Sequence, residues 1–232
     1  MARRTIFDSR ALASVDLFRG IPDRALHRIA DLARVRHLPR RTRIFSQGDD
    51  AVSAHAVLEG AVALVQSGSE GTQVVMGIAG PGQTFGTVAL FTDRRYSADA
   101  VAMSDTVEAS WSQTDFLALL GPYPQIALNL IQVIGERLLE LQERVRELAT
   151  RSADRRIANA VLRLAEQRGR RTSGGIAIDV PLRRKDLADM TGTTLHTASR
   201  WLSAWEKAGI IANRKRILTV ARMAELRAIA ED

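Results

Sequence analysis

His196, Thr197, Ser199, Arg200 and Ser203 place an imidazole, three hydroxyls and a guanidinium on one short stretch of chain. Groups of this kind trade hydrogen bonds with base edges and phosphates. A guanidinium can grip guanine O6 and N7 through two parallel bonds, an imidazole can donate or accept, and short hydroxyls suit phosphate oxygens. This chemistry expects Arg200 to read a guanine, Thr197 and Ser203 to hold phosphates, and Thr194 and Arg184 to complete the contact set.

Such side chains need a helix that can be presented. Leu195, Ala198, Leu202 and Trp205 recur at helical spacing on the side opposite the polar set, so the segment reads as an amphipathic helix. Thr193 or Thr194 can cap it and Gly209 stops it. Trp201 and Trp205 read as core anchors. Upstream, Arg183 to Met190 reads as a shorter helix, and Thr191-Gly192-Thr193 as a turn in which Gly192 can take the positive φ of a tight corner. Downstream, Ile210–Ala212 and Ile217–Val220 read as two strands around the basic turn Asn213-Arg214-Lys215-Arg216. A helical pair in an ordinary globular core shares part of this pattern. The full series of helix, turn, helix and cation-tipped hairpin implies a winged helix-turn-helix, with Arg214, Lys215 and Arg216 against the DNA backbone.

Charge placement points the same way. The chain carries 33 Lys and Arg against 26 Asp and Glu, a net +7. From Arg151 onward there are 17 basic and 9 acidic residues, +8, while residues 1–150 hold 16 and 17, −1. A basic surplus confined to the C-terminal third suits a polyanionic partner, because Lys and Arg release its condensed counterions. The 232 residues, 46% of them hydrophobic, suffice for one large or two modest domains. There is no apolar run of about 18 residues to span a membrane and no signal-type apolar core near the start, so a cytoplasmic protein with no membrane partner is expected. With no cysteine, disulfides, thiolate zinc sites and Cys-ligated iron–sulfur clusters are excluded. No nucleophile–base pair, HExxH or P-loop is present, so the chain does not read as an enzyme.

Residues 37–112 read differently. Arg43–Phe45, Ala54–Leu58, Ala61–Val65 and Val74–Ile78 are short apolar runs separated by Gln47-Gly48-Asp49-Asp50, Glu59-Gly60, Ser67-Gly68-Ser69-Glu70-Gly71 and Gly80-Pro81-Gly82. Short strands between glycine-rich turns imply an antiparallel barrel or roll. Leu17 to Leu32 reads as helical, with Pro22 near a helix start. From Tyr123 to about Thr150 the pattern becomes one long helix. Ile131, Ile134, Leu138, Leu141, Val145 and Leu148 form an a/d seam over about three heptads, flanked by Glu136, Arg137, Glu140, Glu143, Arg144, Arg146 and Glu147. A core helix can show the same stripe. A helix this long between two domains more often pairs with its twin, and a parallel homodimer would set two reading helices about one DNA turn apart on a palindrome.

In the order of these segments the chain resembles the CRP/FNR family of bacterial transcription regulators. The likeness rests on Leu17-Phe18-Arg19-Gly20-Ile21-Pro22, Ile44-Phe45-Ser46-Gln47-Gly48-Asp49, Leu58-Glu59-Gly60-Ala61-Val62, Pro81-Gly82-Gln83-Thr84-Phe85-Gly86, the long helix and the winged helix-turn-helix. It implies an α+β chain: a double-stranded β-helix or β-roll of the cyclic-nucleotide-binding type with N-terminal helices over 1–120, a dimerisation helix over 121–150, and a DNA-binding winged helix-turn-helix over 151–232. RNA polymerase is the further partner implied. The implied effector pocket comprises Phe85, Gly86, Thr87, Val88, Ala89, Tyr96, Ser97, Ala98 and Leu141. Cyclic-nucleotide-binding members carry a Glu that accepts from the ribose and an Arg that pairs with the phosphate. Thr87 and Tyr96 stand in those places, and only Ser97 is retained. Arg94 and Arg95 lie nearby at the wrong spacing. The adenine-reading Thr-Ser pair falls at Leu141-Gln142. Cyclic AMP is therefore not the expected effector, since ionic hydrogen bonds to a phosphate are the strong ones. A haem held by histidine, with His27, His37 and His55 to choose from, stays open. So do a small organic ligand, a cyclic nucleotide in a non-standard pocket, and a regulator with no ligand. FNR-like readers use Glu-x-x-Ser-Arg; here His196 replaces the Glu beside Ser199 and Arg200, which should alter one base preference. Thr197-x-Ser199-Arg200 with Ser203-x-Trp205-Glu206 is similar to the nitric-oxide and denitrification regulators.

Overall fold

The computed structural model describes residues 9–68, 72–214 and 216–231. Lys215, expected in the basic turn of the wing, and Ser69-Glu70-Gly71, expected in the third glycine-rich turn, lie outside the described residues. The chain divides into two compact units, one of Met1–Gly71 with Met76–Glu140 and the other of Thr72–Val75 with Leu141–Asp232.

Two four-stranded antiparallel sheets form the first unit. β1 (Arg34–Leu38), β8 (Thr106–Ser112), β3 (Ser53–Glu59) and β6 (Thr84–Phe85) lie in that order in one sheet. β2 (Arg43–Phe45), β7 (Asp99–Ala102), β4 (Val62–Ser67) and β5 (Gln73–Ala79) lie in that order in the other. Consecutive strands such as β3 and β4 sit in different sheets, which is how the chain winds a roll rather than a flat meander. Ala54, Ala56, Val57, Val62 and Ala100 turn inward and form one core with Phe18, Phe85, Trp111 and Phe116. Pro22 is the N-cap that precedes helix α1 (Asp23–Leu32), in the extended conformation. Ser112 caps α2 (Gln113–Leu120) by accepting from the Asp115 backbone N–H at 3.1 Å.

Helix α3 (Pro124–Thr150) runs unbroken through the division between the units at Glu140/Leu141. Asn129 ties its first half down, donating to the Leu17 and Arg19 carbonyls at 2.9 Å each. Arg137, two turns on, donates to the Thr84 carbonyl of β6. Burial pulls the Arg137 guanidinium below its ordinary pKa, and Asp16 and Glu140 oppose the shift.

The second unit holds α4 (Ala153–Arg168), the hairpin β9 (Gly169–Thr172) and β10 (Gly175–Ile178), α5 (Arg184–Thr191), α6 (Leu195–Lys207), β11 (Ile211–Arg214), β12 (Ile217–Val220) and α7 (Met223–Glu231). Ile157, Val161 and Leu164 give α4 its buried face, on which α5 and α7 pack. The strands form one sheet in the order β11-β12-β10-β9. Among the described residues no single helix is long and apolar enough to cross a membrane.

Trp111 shows how the roll closes. It is 1% exposed, meets Phe18 edge-on at 5.1 Å, and its Nε1–H donates to the Ile29 carbonyl at 2.9 Å. That carbonyl lies in the last turn of α1, where the helix cannot pair it. Trp111→Phe keeps most of the ring and orphans the acceptor. Urea denaturation should show a loss of about 1–3 kcal/mol, the cost of a buried unpaired group.

Candidate nucleic-acid interface and sensor pocket

Local capping and a side-chain clasp position the reading helix. Thr194 is the N-cap of α6, accepting from the Thr197 backbone N–H at 3.1 Å, and the two hydroxyls lie 2.9 Å apart. Gly192 ends α5 at φ +60, the left-handed conformation the corner needs. Arg156 on α4 braces the corner from behind, its Nε donating to the Thr191 carbonyl at 2.9 Å. A cation at the carbonyl end of α5 also matches the helix dipole.

Ala198, Leu202 and Trp205 are the buried face of α6. His196 and Arg200, one turn apart, are exposed, and Thr197, Ser199 and Ser203 are half-buried beside them. Leu195 differs from its expected place: it is 51% exposed. Helical period fixed its direction, but at the first residue of the helix direction does not guarantee cover. The Arg200 guanidinium carbon lies 5.6 Å from the centre of the half-buried Trp201 ring, close enough for its charge to be held by the π face. Arg184 has a task that spacing did not show. It donates to the Ser199 carbonyl at 3.0 Å, to Ser203 Oγ at 2.7 Å and to Glu206 Oε2 at 3.0 Å, clasping α5 to α6. In the wing, Arg214 pairs with Ile217 across the hairpin, and Arg216 sits in the tip at φ +70. Both arginines are exposed.

The structure brings only part of the expected effector set together. Phe85, Thr87, Tyr96 and Ala98 are buried, Gly86 and Ala89 are half-buried, and Val88 and Ser97 are exposed. Leu141, on α3, is 45% exposed. Arg94 and Arg95 are exposed and leave the Tyr96 position without a substitute cation. Tyr96 turns inward. Its ring stacks on Phe45 at 3.6 Å between centres, and its hydroxyl lies 3.0 Å from His55 Nε2 and 3.1 Å from the Ser53 carbonyl. His55 Nδ1 meets Glu108 Oε1 at 2.5 Å, and Arg36 grips Glu108 Oε2 through Nε at 2.9 Å and Nη2 at 2.7 Å. Burial pushes the Tyr96 phenol above its ordinary pKa, against the opposing bonds to the Ser53 and Val52 backbone.

Sequence reasoning missed this chain of contacts. No local pattern pointed to it, because β8 carries Thr106, Glu108 and Ser110 at buried positions and shows no apolar alternation. As for haem, His55 commits both ring nitrogens to buried partners, so ligating iron requires breaking one of those bonds. His27 and His37 are exposed. Among the described residues no group of three or more His, Cys, Asp or Glu is arranged to hold a metal ion.

A roll, a long helix and a helix-turn-helix with a wing in one chain define a DNA-binding transcription regulator with a sensor-type domain. The cyclic nucleotide-binding domain family matches residues 35–123, and the Crp-like helix-turn-helix domain family matches residues 155–229. The cyclic AMP receptor protein of Thermus thermophilus is 30% identical over 195 residues, 84% of this chain and 87% of that protein. The nitrogen fixation regulation protein FixK of Bradyrhizobium diazoefficiens is 28% identical over 189 residues, 79% of this chain and 78% of its own. FixK2 from Bradyrhizobium japonicum superposes with a TM-score of 0.76 over 86% of this chain and 98% of that one; at 22% identity it shows the fold alone. The chain belongs to the CRP/FNR family of transcription regulators.

Arg184→Ala should destabilise the reader by about 1.5–3 kcal/mol, the range for hydrogen bonds to a charged group, as measured by urea melts followed at the tryptophans. Arg184→Lys should recover little, because one compact ammonium cannot span three acceptors on two turns of α6.

Proposed function

We propose that the protein acts as a homodimer that binds a palindromic DNA site, lays α6 of each protomer in the major groove and contacts RNA polymerase in the cytoplasm. The roll and its leading helices (1–120) serve as the sensor, residues 121–150 as the dimerisation helix and residues 151–232 as the reader. The observation that carries the reading is the face of α6 with His196 and Arg200 exposed one turn apart, opposite the buried Ala198, Leu202 and Trp205. Arg200 takes a guanine through two hydrogen bonds, His196 takes a neighbouring base, and Thr194, Thr197, Ser199 and Ser203 hold the backbone or adjacent edges. Arg214, Lys215 and Arg216 grip phosphates beside the wing.

Dimerisation is supported by the seam on α3. Ile131, Ile134, Leu138, Leu141, Val145 and Leu148 are between 39% and 66% exposed, an apolar stripe that a twin helix would cover. Cyclic AMP is not the effector. Thr87 and Tyr96 offer neither the carboxylate for the ribose nor the cation for the phosphate, and Tyr96 points into the core.

Selection from random oligonucleotides, followed by footprinting, should return a two-fold symmetric site with half-sites about 34 Å apart. Arg200→Ala should lose about 1–3 kcal/mol of discrimination at one guanine while keeping salt-sensitive nonspecific binding. Unchanged specificity would overturn the assignment of α6. Leu138→Glu should yield a monomer by sedimentation and weaken operator binding; a dimer that survives it places the seam elsewhere.

A further inference from the structure

The family's ligand-holding segments in this chain are packed against its own side chains. Phe45 from β2, His55 from β3, Phe85 from β6 and Tyr96 form one aromatic cluster, with Tyr96 stacked on Phe45 at 3.6 Å and His55 on Phe85 at 5.1 Å. The cluster presses on Gly86 so closely that a methyl there would sit 3.0 Å from Tyr96 Cε1, 3.2 Å from His55 Cδ2 and 3.2 Å from Phe45 Cε1. The ring is also oriented. Its hydroxyl is held between His55 Nε2 and the Ser53 backbone, and His55 is held in turn by Glu108, which has no exposure and is gripped by Arg36. Fixing a ring by a buried polar chain is how a protein fixes a bound ligand.

The geometry points to Tyr96 as an internal occupant of the sensor roll: its ring takes the place of a diffusible effector, so the DNA-competent state forms with no small molecule in the roll. This rests on the reading of the chain as a DNA-binding regulator. The link to α3 is short. Tyr96 supports Gly86, Gly86 follows β6, and β6 receives Arg137 of α3 at the Thr84 carbonyl, while Asp16 accepts from the Thr84 N–H at 3.2 Å. Emptying the space under Gly86 loosens the strand that Arg137 holds, and the same helix continues to Thr150. A cyclic nucleotide entering between Gly86 and Ser97 would first have to displace the ring.

The test uses the full-length protein. Wild type is unfolded in urea, dialysed and refolded to strip any bound molecule, and its affinity for the selected operator is measured. Affinity should be unchanged by stripping and by added cyclic AMP. A stripped protein that binds DNA only after a small molecule is returned overturns the proposal. Tyr96→Gly leaves a cavity shaped for p-cresol, much as apolar cavities take up benzene. This variant should bind the operator about tenfold more weakly, a coupling of ordinary allosteric size, and p-cresol should both raise its melting temperature and restore its affinity. Tyr96→Gly that is folded and binds like wild type, or that p-cresol stabilises with no gain in DNA affinity, overturns the proposal. Should Tyr96→Gly not fold, the stripping experiment on wild type decides alone. A protein that binds no selected DNA before or after stripping refutes the regulator reading instead. The p-cresol melt still judges the cavity, and no stabilisation there refutes the occupant.

Discussion

Glu108 has no access to water, and the roll is organised around keeping its carboxylate paired. An isolated buried carboxylate costs several kcal/mol even after relaxation, so its partners are not optional. Strand order supplies them. β8 lies between β1 and β3, which sets Arg36 directly opposite Glu108 and His55 opposite Ser110, a diagonal neighbour two residues along on the same face. A one-residue slip of either strand would turn a partner to the other face and leave the charge alone. The same constraint reaches the pocket, because His55, held by Glu108, is the group that fixes the Tyr96 hydroxyl. One buried carboxylate thus ties the register of two strand pairs to the direction of the Tyr96 ring.

In the reader, contacts within the helix-turn-helix set the angle of α6. Arg184 clasps α5 to α6, Arg156 holds the corner carbonyls, and Thr194 closes the first turn. Base-reading geometry tolerates errors of only about half an ångström, so groups that lock the recognition helix bear on specificity as much as those that touch bases. The Arg200–Trp201 contact belongs with them, since it limits where the guanidinium can go.

Helix α3 joins the two requirements. Its first half is fastened by Asn129 and Arg137, while the apolar stripe from Ile131 to Leu148 is left open. A helix pinned on one side and apolar on another suits the pairing with a twin helix proposed for the chain.

Much of this was legible in local pattern. The reading helix, the Gly192 corner, the wing, the long helix and the strands β2 to β5 follow from periodicities and turn residues that act over a few positions. β1, β7 and β8 gave no such signal: Arg34-Val35-Arg36-His37-Leu38 carries two arginines and a histidine in five residues, and becomes a strand through what it pairs with. Leu195 shows that period predicts a direction without predicting cover, and Arg184 that a cation beside a DNA-reading helix can be bound to that helix. By itself the sequence determined the elements and the kind of surface α6 presents, because these depend on near neighbours in the chain. Only the tertiary structure decided that Glu108, His55 and Tyr96 meet, since residues 41 to 53 positions apart in the chain are brought together by strand register alone.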